Sequence, residues 1–509
     1  MSQESSTPQT KVSGASLNPF RNLRNEKPML MVLAVLAVFS AVIAGQPMIA
    51  MWVGFAFAGY SAIANDSIQT IGTFIASNKE RPWWQLWIFI SGVFFFTMYA
   101  SWSTYGGPVY MDLAEIKDTN GQLLTADARD VDGKIQTVLR ISLAEEGSDK
   151  VKYSQIPVDI ADGQLVDRES LGFDVSKDWT IQSIQLGSLN LEADKVDGFK
   201  PLKQPVYATG KAAEQNNGKE TWSMYTVGAT EGASASLGEV KINSAFGGDV
   251  SNQRLASKGF ATQPNSFSFL HLLAPLVLIL FTRLRMPVST TFLLLSCFAY
   301  SGKSIMAVTT KSLSGYVIAF VGAIILWGLL GKAMSKWFTG PANPMWRVAQ
   351  WCTTGWLWSV WLMQDAANIA VYLPRALTTL EFTAFCGVII LGLGWLFRSG
   401  GEKIQEVVHE KASVVDVRAA TVIDFLYAGI LYYFKFKSNI PMSTTWVFVG
   451  LLGGRELAMA WWGVSGDGRT LGHAFRLVLR DLIYVTIGFL VSLLIAGMIN
   501  PTVGRALFG

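Results

Sequence analysis

The sequence predicts an all-α polytopic membrane protein made of two inverted repeats with broken or re-entrant helices. A β-rich soluble domain is inserted into the first repeat. Three observations predict this. Apolar blocks near 20 residues recur along a chain that is half hydrophobic and only 15% charged. A soluble protein of this size carries about a quarter charged residues. A short motif, Pro-x-Ser-Thr-Thr, occurs twice, as Pro287–Thr291 and Pro441–Thr445, each opening an apolar run. Upstream of each motif an acid sits inside an apolar span, with Asn65-Asp66 in the first half and Asp365 and Asn368 in the second.

Taken in order, residues 1–28 are Ser- and Asn-rich and carry Lys11, Arg21, Arg24 and Lys27, which predicts a disordered cytoplasmic tail. The first apolar run, 29–45, has no convincing cleavage site and reads as a retained helix. With 48–77 and 83–102 it makes the first part of the first membrane repeat, 29–103. Such runs are long enough to cross about 30 Å of hydrocarbon. Residues 104–266 hold 23 acidic and 16 basic residues, a net charge of −7, against +11 for the remainder. Short alternation at 134–143 and 179–191, with turns at Asp132-Gly133 and Asp162-Gly163, predicts a strand-rich domain with its own small core. The first repeat resumes at 267–311, and the second fills 312–509, with spans at 316–330, 346–373, 377–397, 420–434 and 482–498.

Spacing identifies 104–266 as an insertion. Asp66 precedes Pro287 by 221 residues, Asp365 precedes Pro441 by 76, and the difference of 145 is close to the insert's length. Without it, each half reads as apolar helix, acid-bearing span, two apolar helices and a Ser-Thr-Thr segment. Internal repeats of this kind are a common build of secondary transporters. Basic residues favour the cytoplasmic side. The basic tail therefore goes inside and the acidic insert outside. Counting each Ser-Thr-Thr segment as one crossing then puts most later Lys and Arg inside, from Lys332 to Arg480, although Lys435 and Lys437 fall on the other side.

A carboxylate in hydrocarbon must face a polar cavity or a cation. Asn65, Asp66 and Gln69 in one half, and Gln364, Asp365 and Asn368 in the other, offer the carboxylate and amide oxygens that suit a hard cation. Asp66 and Asp365 are the expected metal ligands if the ion is Na+. The competing reading is an acid that ties helices together. In Pro-x-Ser-Thr-Thr, proline presets a helix start whose N–H groups lack intrahelical partners. Ser289, Thr290, Thr291, Ser443, Thr444 and Thr445 are the candidate donors to an anion. The bland alternative is an ordinary capped helix start. Gly302 and Gly453-Gly454 are expected to break the following helices. Glu381 lies inside an apolar span and reads as a proton carrier or a packing acid. Lys303 and Arg455 each follow a glycine behind the motif, as anion attractors or as interfacial anchors, and Trp83, Trp84, Trp337 and Trp346 read as interface anchors. Cys297, Cys352 and Cys386 read as unpaired packing residues.

These residues resemble the inorganic phosphate transporter (PiT) family, which carries an Asn-Asp motif and Pro-x-Ser-Thr-Thr-His in each of two inverted halves. Asn65-Asp66-Ser67-Ile68-Gln69 through Gly72-Thr73, Asp365-Ala366-Ala367-Asn368, and Gly400–Ile404 carry the resemblance. It covers most of the chain outside the tail and the insert. It implies symport of phosphate with Na+ or H+, with the acids on the cation and the hydroxyls on the anion. The departures are Phe292 and Trp446 where the family has histidine, Gln69 and Gln364 where it has asparagine, and the insert itself. Sulfate or another oxyanion is the alternative cargo. A non-transporting sensor or assembly protein on the same scaffold is the alternative role. No nucleophile–base pair or phosphate-cradling loop points to an enzyme. The expected partners are the oxyanion and the lipid bilayer, not nucleic acid; a homodimer is compatible with this reading. No cofactor is expected beyond the coupling ion, and the expected location is the cytoplasmic (inner) membrane.

Overall fold

A computed structural model describes residues 27–116, 122–125, the strands between 135 and 248, then 249–255, 260, 266–284, 286–299, 302–337, 340–399, 417–438, 440–463 and 470–508. The tail before 27 and the Gly400–Ile404 stretch lie outside the described residues.

Thirteen α-helices are described: α1 Lys27–Ile43, α2 Pro47–Ala62, α3 Ile68–Ser77, α4 Trp83–Thr104, α5 Phe269–Arg283, α6 Thr290–Leu293, α7 Gly302–Trp337, α8 Met345–Ala370, α9 Thr379–Arg398, α10 Val417–Lys437, α11 Thr444–Trp461, α12 Leu471–Ile499 and α13 Pro501–Phe508. Among the described residues, six stretches are long and apolar enough to cross a membrane: α2 with the turn that follows it, α4, α9, α10, α12 and residues 302–329 of α7. The burial pattern agrees with that setting. Leu329, Leu391 and Phe96 are more than 70% exposed, while Asn65, Asp66, Asp365, Asn368 and Asp424 are at most 3% exposed. Large apolar side chains turned outward, with polar groups held inside an otherwise apolar core, suit a lipid solvent, in which backbone groups must be satisfied within the protein.

The two acid-bearing spans differ. The first breaks: Ile63–Ser67 is a single π turn joining α2 to α3, and Asn65 and Asp66 lie in it. π turns inside α-helices occur often at functional sites. The second runs unbroken through Gln364, Asp365 and Asn368 to Ala370, with no glycine or proline after Gly355 to interrupt it beside the acid. The two motif segments differ as well. The first makes one turn of α6 and a 3-10 turn, Leu295–Phe298. The second continues for 18 residues as α11.

Gly453-Gly454 is therefore not a helix break, and the reason is packing. A Cβ at Gly454 would stand 2.2 Å from the Phe320 carbonyl oxygen, and one at Gly450 2.5 Å from that of Tyr316. The glycines, one turn apart, let α11 lie directly on the backbone of α7, a common solution between membrane helices. Glu381 is also corrected. It is not deep in a span but sits in the first turn of α9. Its carboxylate accepts from the Thr378 N–H at 2.8 Å, and the Thr378 hydroxyl accepts from the Glu381 N–H, a capping box.

Among the described residues between Gly106 and Gly248 the regular structure is β. Ten strands, numbered in chain order, run from β1 Gly106–Ile116 to β10 Gly238–Gly248. Between them lie β2 Ile135–Glu145, β3 Val151–Pro157, β4 Ile160–Ala161, β5 Gln164–Leu165, β6 Trp179–Asn190, β7 Phe199–Pro201, β8 Tyr207–Asn216 and β9 Lys219–Thr226. They pair in the order β1-β10-β9-β8-β6-β2-β3, with β7 beside β6 and β4 with β5 as a separate pair. β1 and β10 are antiparallel with Gly106 opposite Gly248, so the chain leaves and returns at one place. Gly248 exchanges two backbone hydrogen bonds with Leu377, and Asp249 N–H donates to the Tyr105 carbonyl at 2.9 Å. The chain then dives inward. The Asp249 carboxylate accepts from the N–H groups of Ser251 and Gln253 at 2.7 and 2.8 Å. Burial pushes this carboxyl above its ordinary range, opposed by those N–H groups and by Arg375. Asn252 and Gln253 take φ of 53° and 61°, left-handed conformations disfavoured for side-chain-bearing residues.

The α7–α11 contact gives a direct test. Gly454→Leu is expected to force the helices apart and lower the stability of the detergent-purified protein by roughly 1–3 kcal/mol, the usual cost of overpacking. Gly322→Ala, on α7 with open space around its Cβ, is expected to leave the melting temperature unchanged or raise it.

Candidate functional site

The first motif places Ser289 as the N-cap of α6, its Oγ accepting from Phe292 N–H at 3.3 Å. The second does the same with Ser443 and Trp446 N–H at 3.2 Å. Each serine thus spends a lone pair on the cap and keeps its hydroxyl proton for another acceptor.

The threonines join the two motifs. The Thr291 hydroxyl donates to the Met442 carbonyl at 3.1 Å, and the Thr445 hydroxyl approaches the Val288 carbonyl at 3.4 Å. The exchange is reciprocal: the fifth residue of each motif reaches the second residue of the other. The sixth residues also meet, with the Phe292 and Trp446 rings 5.3 Å apart and Phe489 of α12 against both. These are the two positions where the resemblance leads one to expect histidine. Here an apolar ring cluster occupies them.

Both acids reach this junction. Asp66 accepts from Thr290 Oγ1 through Oδ2, and from Asn65 Nδ2 at 2.6 Å and Thr445 Oγ1 at 3.1 Å through Oδ1. Asn65 also donates to the Val288 carbonyl. Asn368 carries the link to the other acid. Its Nδ2 stands 2.6 Å from Asp365 Oδ1, 3.0 Å from Thr290 Oγ1 and 3.1 Å from Thr291 Oγ1. An amide nitrogen has two hydrogens for these three neighbours. Thr444 lies on the Asp365 carboxylate, which is close enough to Asp66 to feel its charge. The Tyr427 hydroxyl of α10 donates to the Thr444 carbonyl at 3.0 Å.

Three side-chain oxygens within about a turn of α8 are buried without a hydrogen bond: Gln364 Oε1, Asp365 Oδ2 and Asn368 Oδ1. Gln364 spends its amide on the Leu431 carbonyl at 3.1 Å. A buried oxygen with no donor costs about 1–3 kcal/mol, more when charged. Carboxylate and amide oxygens of this kind are the ligands a hard cation takes. All six hydroxyl residues and Asn65, Asp66, Asp365 and Asn368 therefore share one buried junction. Gln364 lies on the same stretch of α8. Gln69 lies on α3, and its side chain is outside the described residues. Lys303 is exposed at the start of α7. Arg455 is buried within α11, paired with Glu456 at 2.9 Å and facing the Trp327 ring.

The sequence reading missed a third carboxylate. Asp424 of α10 accepts from Thr73 of α3 at 2.6 Å and from Thr354 of α8. Beyond it, Ser77, Asn78, Gln350 and Arg347 bond to one another. Asp66, Thr70, Thr73 and Ser77 recur on one face of the π turn and α3. A polar column thus runs from the junction towards the α3–α4 turn. An acid in the apolar run 420–434 was the available signal.

Compared with protein-family models, curated proteins and solved structures, the chain matches none.

The Asp66–Thr290 bond can be tested by a double-mutant cycle. Thr290→Val leaves a buried carboxylate oxygen without its donor and is expected to destabilise the purified protein by about 1–3 kcal/mol. In an Asp66→Asn background the same change is expected to cost clearly less. Equal losses in thermal unfolding of both backgrounds would separate the two residues energetically.

Proposed function

We propose that the chain is a cation-coupled secondary transporter of an inorganic oxyanion, phosphate first and sulfate second. One observation carries this reading: both acids and both Pro-x-Ser-Thr-Thr motifs meet in one buried junction, with the fifth residue of each motif against the second residue of the other. Matched half-sites meeting inside a membrane bundle are how repeat-built transporters make a site. The reciprocal contacts and the shared element order support two inverted repeats. In this reading Asp66 and Asp365, with Asn65, Gln69, Gln364 and Asn368, hold Na+ or a proton. The orphan oxygens on α8 are then the cation's ligands. The hydroxyls and free N–H groups of the two helix starts receive the anion. The insert, residues 104–266, lies on the outer face of the cytoplasmic membrane, and the N-terminus lies inside.

A second reading has one observation in its favour. The hydroxyls of Thr290, Thr291 and Thr445 already donate to carboxylates and carbonyls, as they would in a scaffold that carries nothing. Such a protein would sense or assemble through its insert.

Uptake of radiolabelled phosphate and sulfate into proteoliposomes separates the two. Uptake driven by an inward Na+ or proton gradient is expected, and Asp66→Asn or Asp365→Asn is expected to abolish its dependence on the gradient. Thr290→Val with Thr444→Val, which removes two buried hydroxyls, is expected to weaken anion affinity at least about tenfold. No uptake of either anion under any gradient selects the scaffold. For orientation, a cysteine at Ser188 is expected to react with an impermeant maleimide in intact cells; reaction only after permeabilisation reverses the assignment.

A further inference from the structure

Two cationic side chains share one pair of backbone oxygens just ahead of the second motif. Lys311 Nζ donates to the carbonyls of Ser438 at 2.9 Å and Ile440 at 2.5 Å. Arg254 Nη1 donates to the same two, at 2.7 and 3.2 Å. Lys435 Nζ comes from the last turn of α10 and reaches the Asn252 carbonyl at 3.4 Å. All three groups lie within electrostatic reach of one another. Asp365 is felt by Arg254, and Asp249 by Lys435. Among the described residues neither lysine forms an ion pair with a carboxylate. The carbonyls at the end of α10 attract cations, but those carbonyls and the two acids within reach, Asp249 and Asp365, do not balance three cationic groups held this close.

The position of the cluster is informative. Ile440 precedes Pro441, and Ser312, next to Lys311, accepts from the Ser443 N–H at 2.8 Å. Arg254 Nε donates at 3.3 Å to the Met363 carbonyl, two residues before Asp365. The cluster therefore borders the junction at the end where the inserted strands return. The turn that delivers Arg254 is strained at Asn252 and Gln253, and strain of this kind persists where the surroundings over-determine it.

We propose that Arg254, Lys311 and Lys435 form a waiting station for an inorganic oxyanion, phosphate or sulfate, on the insert side of the junction. A junction lined by two carboxylates and neutral hydroxyls repels an approaching anion. A positive patch at its mouth raises the local anion concentration. Lys311 has one N–H beyond its two carbonyl bonds and Lys435 has two beyond its one, so three donors remain for tetrahedral oxygens. Only the anion's onward route rests on the transport reading; binding at the station does not. The same chemistry would hold the phosphate of a lipid headgroup, and the test separates these sources.

Equilibrium binding of radiolabelled phosphate and sulfate is measured on the full chain in phosphatidylcholine nanodiscs. The central hydroxyls are removed by Thr290→Val and Thr444→Val, so that the station is read alone. Saturable binding that weakens with added salt is expected. Lys311→Gln and Lys435→Gln are each expected to weaken it roughly tenfold, the usual scale for a charge-assisted hydrogen bond. Lys311→Arg with Lys435→Arg is expected to retain it. The proposal is overturned by absent binding, or by unchanged affinity in glutamine variants that melt like their parent. Equal weakening in the arginine variant also overturns it. So does loss of binding when phosphatidylglycerol enters the nanodisc, which assigns the cluster to a headgroup. If lysine-dependent binding persists while proteoliposomes take up neither anion, the station stands and the transport reading falls. Uptake with wild-type anion dependence in the double glutamine variant does the reverse.

Discussion

The arrangement depends on keeping two carboxylates inside an apolar bundle. Asp66 is 1% exposed and Asp365 is 3% exposed. A carboxylate taken out of water must find donors or a cation, because its desolvation costs several kcal/mol. The chain finds donors at two helix starts. Each start brings hydroxyls at its third to fifth residues and one carbonyl just before them, that of Val288 or Met442. Thr445 crosses over to the acid of the first half, so that half does not solvate Asp66 alone, whereas Asp365 takes its donors, Thr444 and Asn368, from its own half. Asp66 takes a donor from each half, Thr290 and Thr445. The junction forms only when both halves pack, and so it ties the folding of the bundle to the formation of the site.

The helices around the junction follow from that demand. α11 must press on α7 to bring Ser443 onto Ser312, and Gly450 and Gly454 remove the side chains that would hold it away. α12 must close over the first motif, and Gly488 lets it approach the Val288 side chain, where a Cβ would stand at 2.8 Å. The two ends of the site then differ in chemistry. The insert side carries Arg254, Lys311 and Lys435. The other side carries the column from Thr73 and Asp424 to Asn78 and Arg347. A basic mouth suits an anion, and a column of hydroxyl, carboxylate and amide oxygens suits a proton or small cation.

The element order and both halves of the junction were legible in the sequence, because apolar runs, intramembrane acids and repeated helix starts are local signals. The π turn at Asp66 was half legible: Asn65, Ser67 and Thr70 crowd that segment with groups that compete for backbone bonds. The continuity of α8 follows from the absence of glycine and proline beside Asp365, and the symmetry argument overrode that signal. Glu381 was misread because a carboxylate in an apolar run drew more weight than the Thr378-x-x-Glu381 spacing of a capping box. Gly453-Gly454 was misread because a glycine pair signals a break and a close contact alike, and only the position of Phe320 decides. Strand content in the insert was visible as alternation. The pairing of β1 with β10 was not, since it joins residues more than a hundred apart. Arg254 was invisible for the same reason: its role depends on a turn that returns it to helices far along the chain.

Under the transport reading, the shared hydroxyls suggest how two ions are coupled. Thr290 and Thr445 donate to the Asp66 carboxylate in the structure described. An anion seated between the two helix starts needs those same hydroxyl protons. A hydroxyl has one proton and cannot serve both. When Na+ or a proton neutralises Asp66, the carboxylate accepts hydrogen bonds less strongly, because charge-assisted bonds are roughly twice as strong as neutral ones. The threonines are then freed to turn towards the anion. The cation thus does more than balance the anion's charge: it releases the donors that the anion requires. By linkage the anion strengthens cation binding by the same factor. A junction whose donors were never engaged by the acids would bind the anion without the cation, and gradient-driven uptake would be lost.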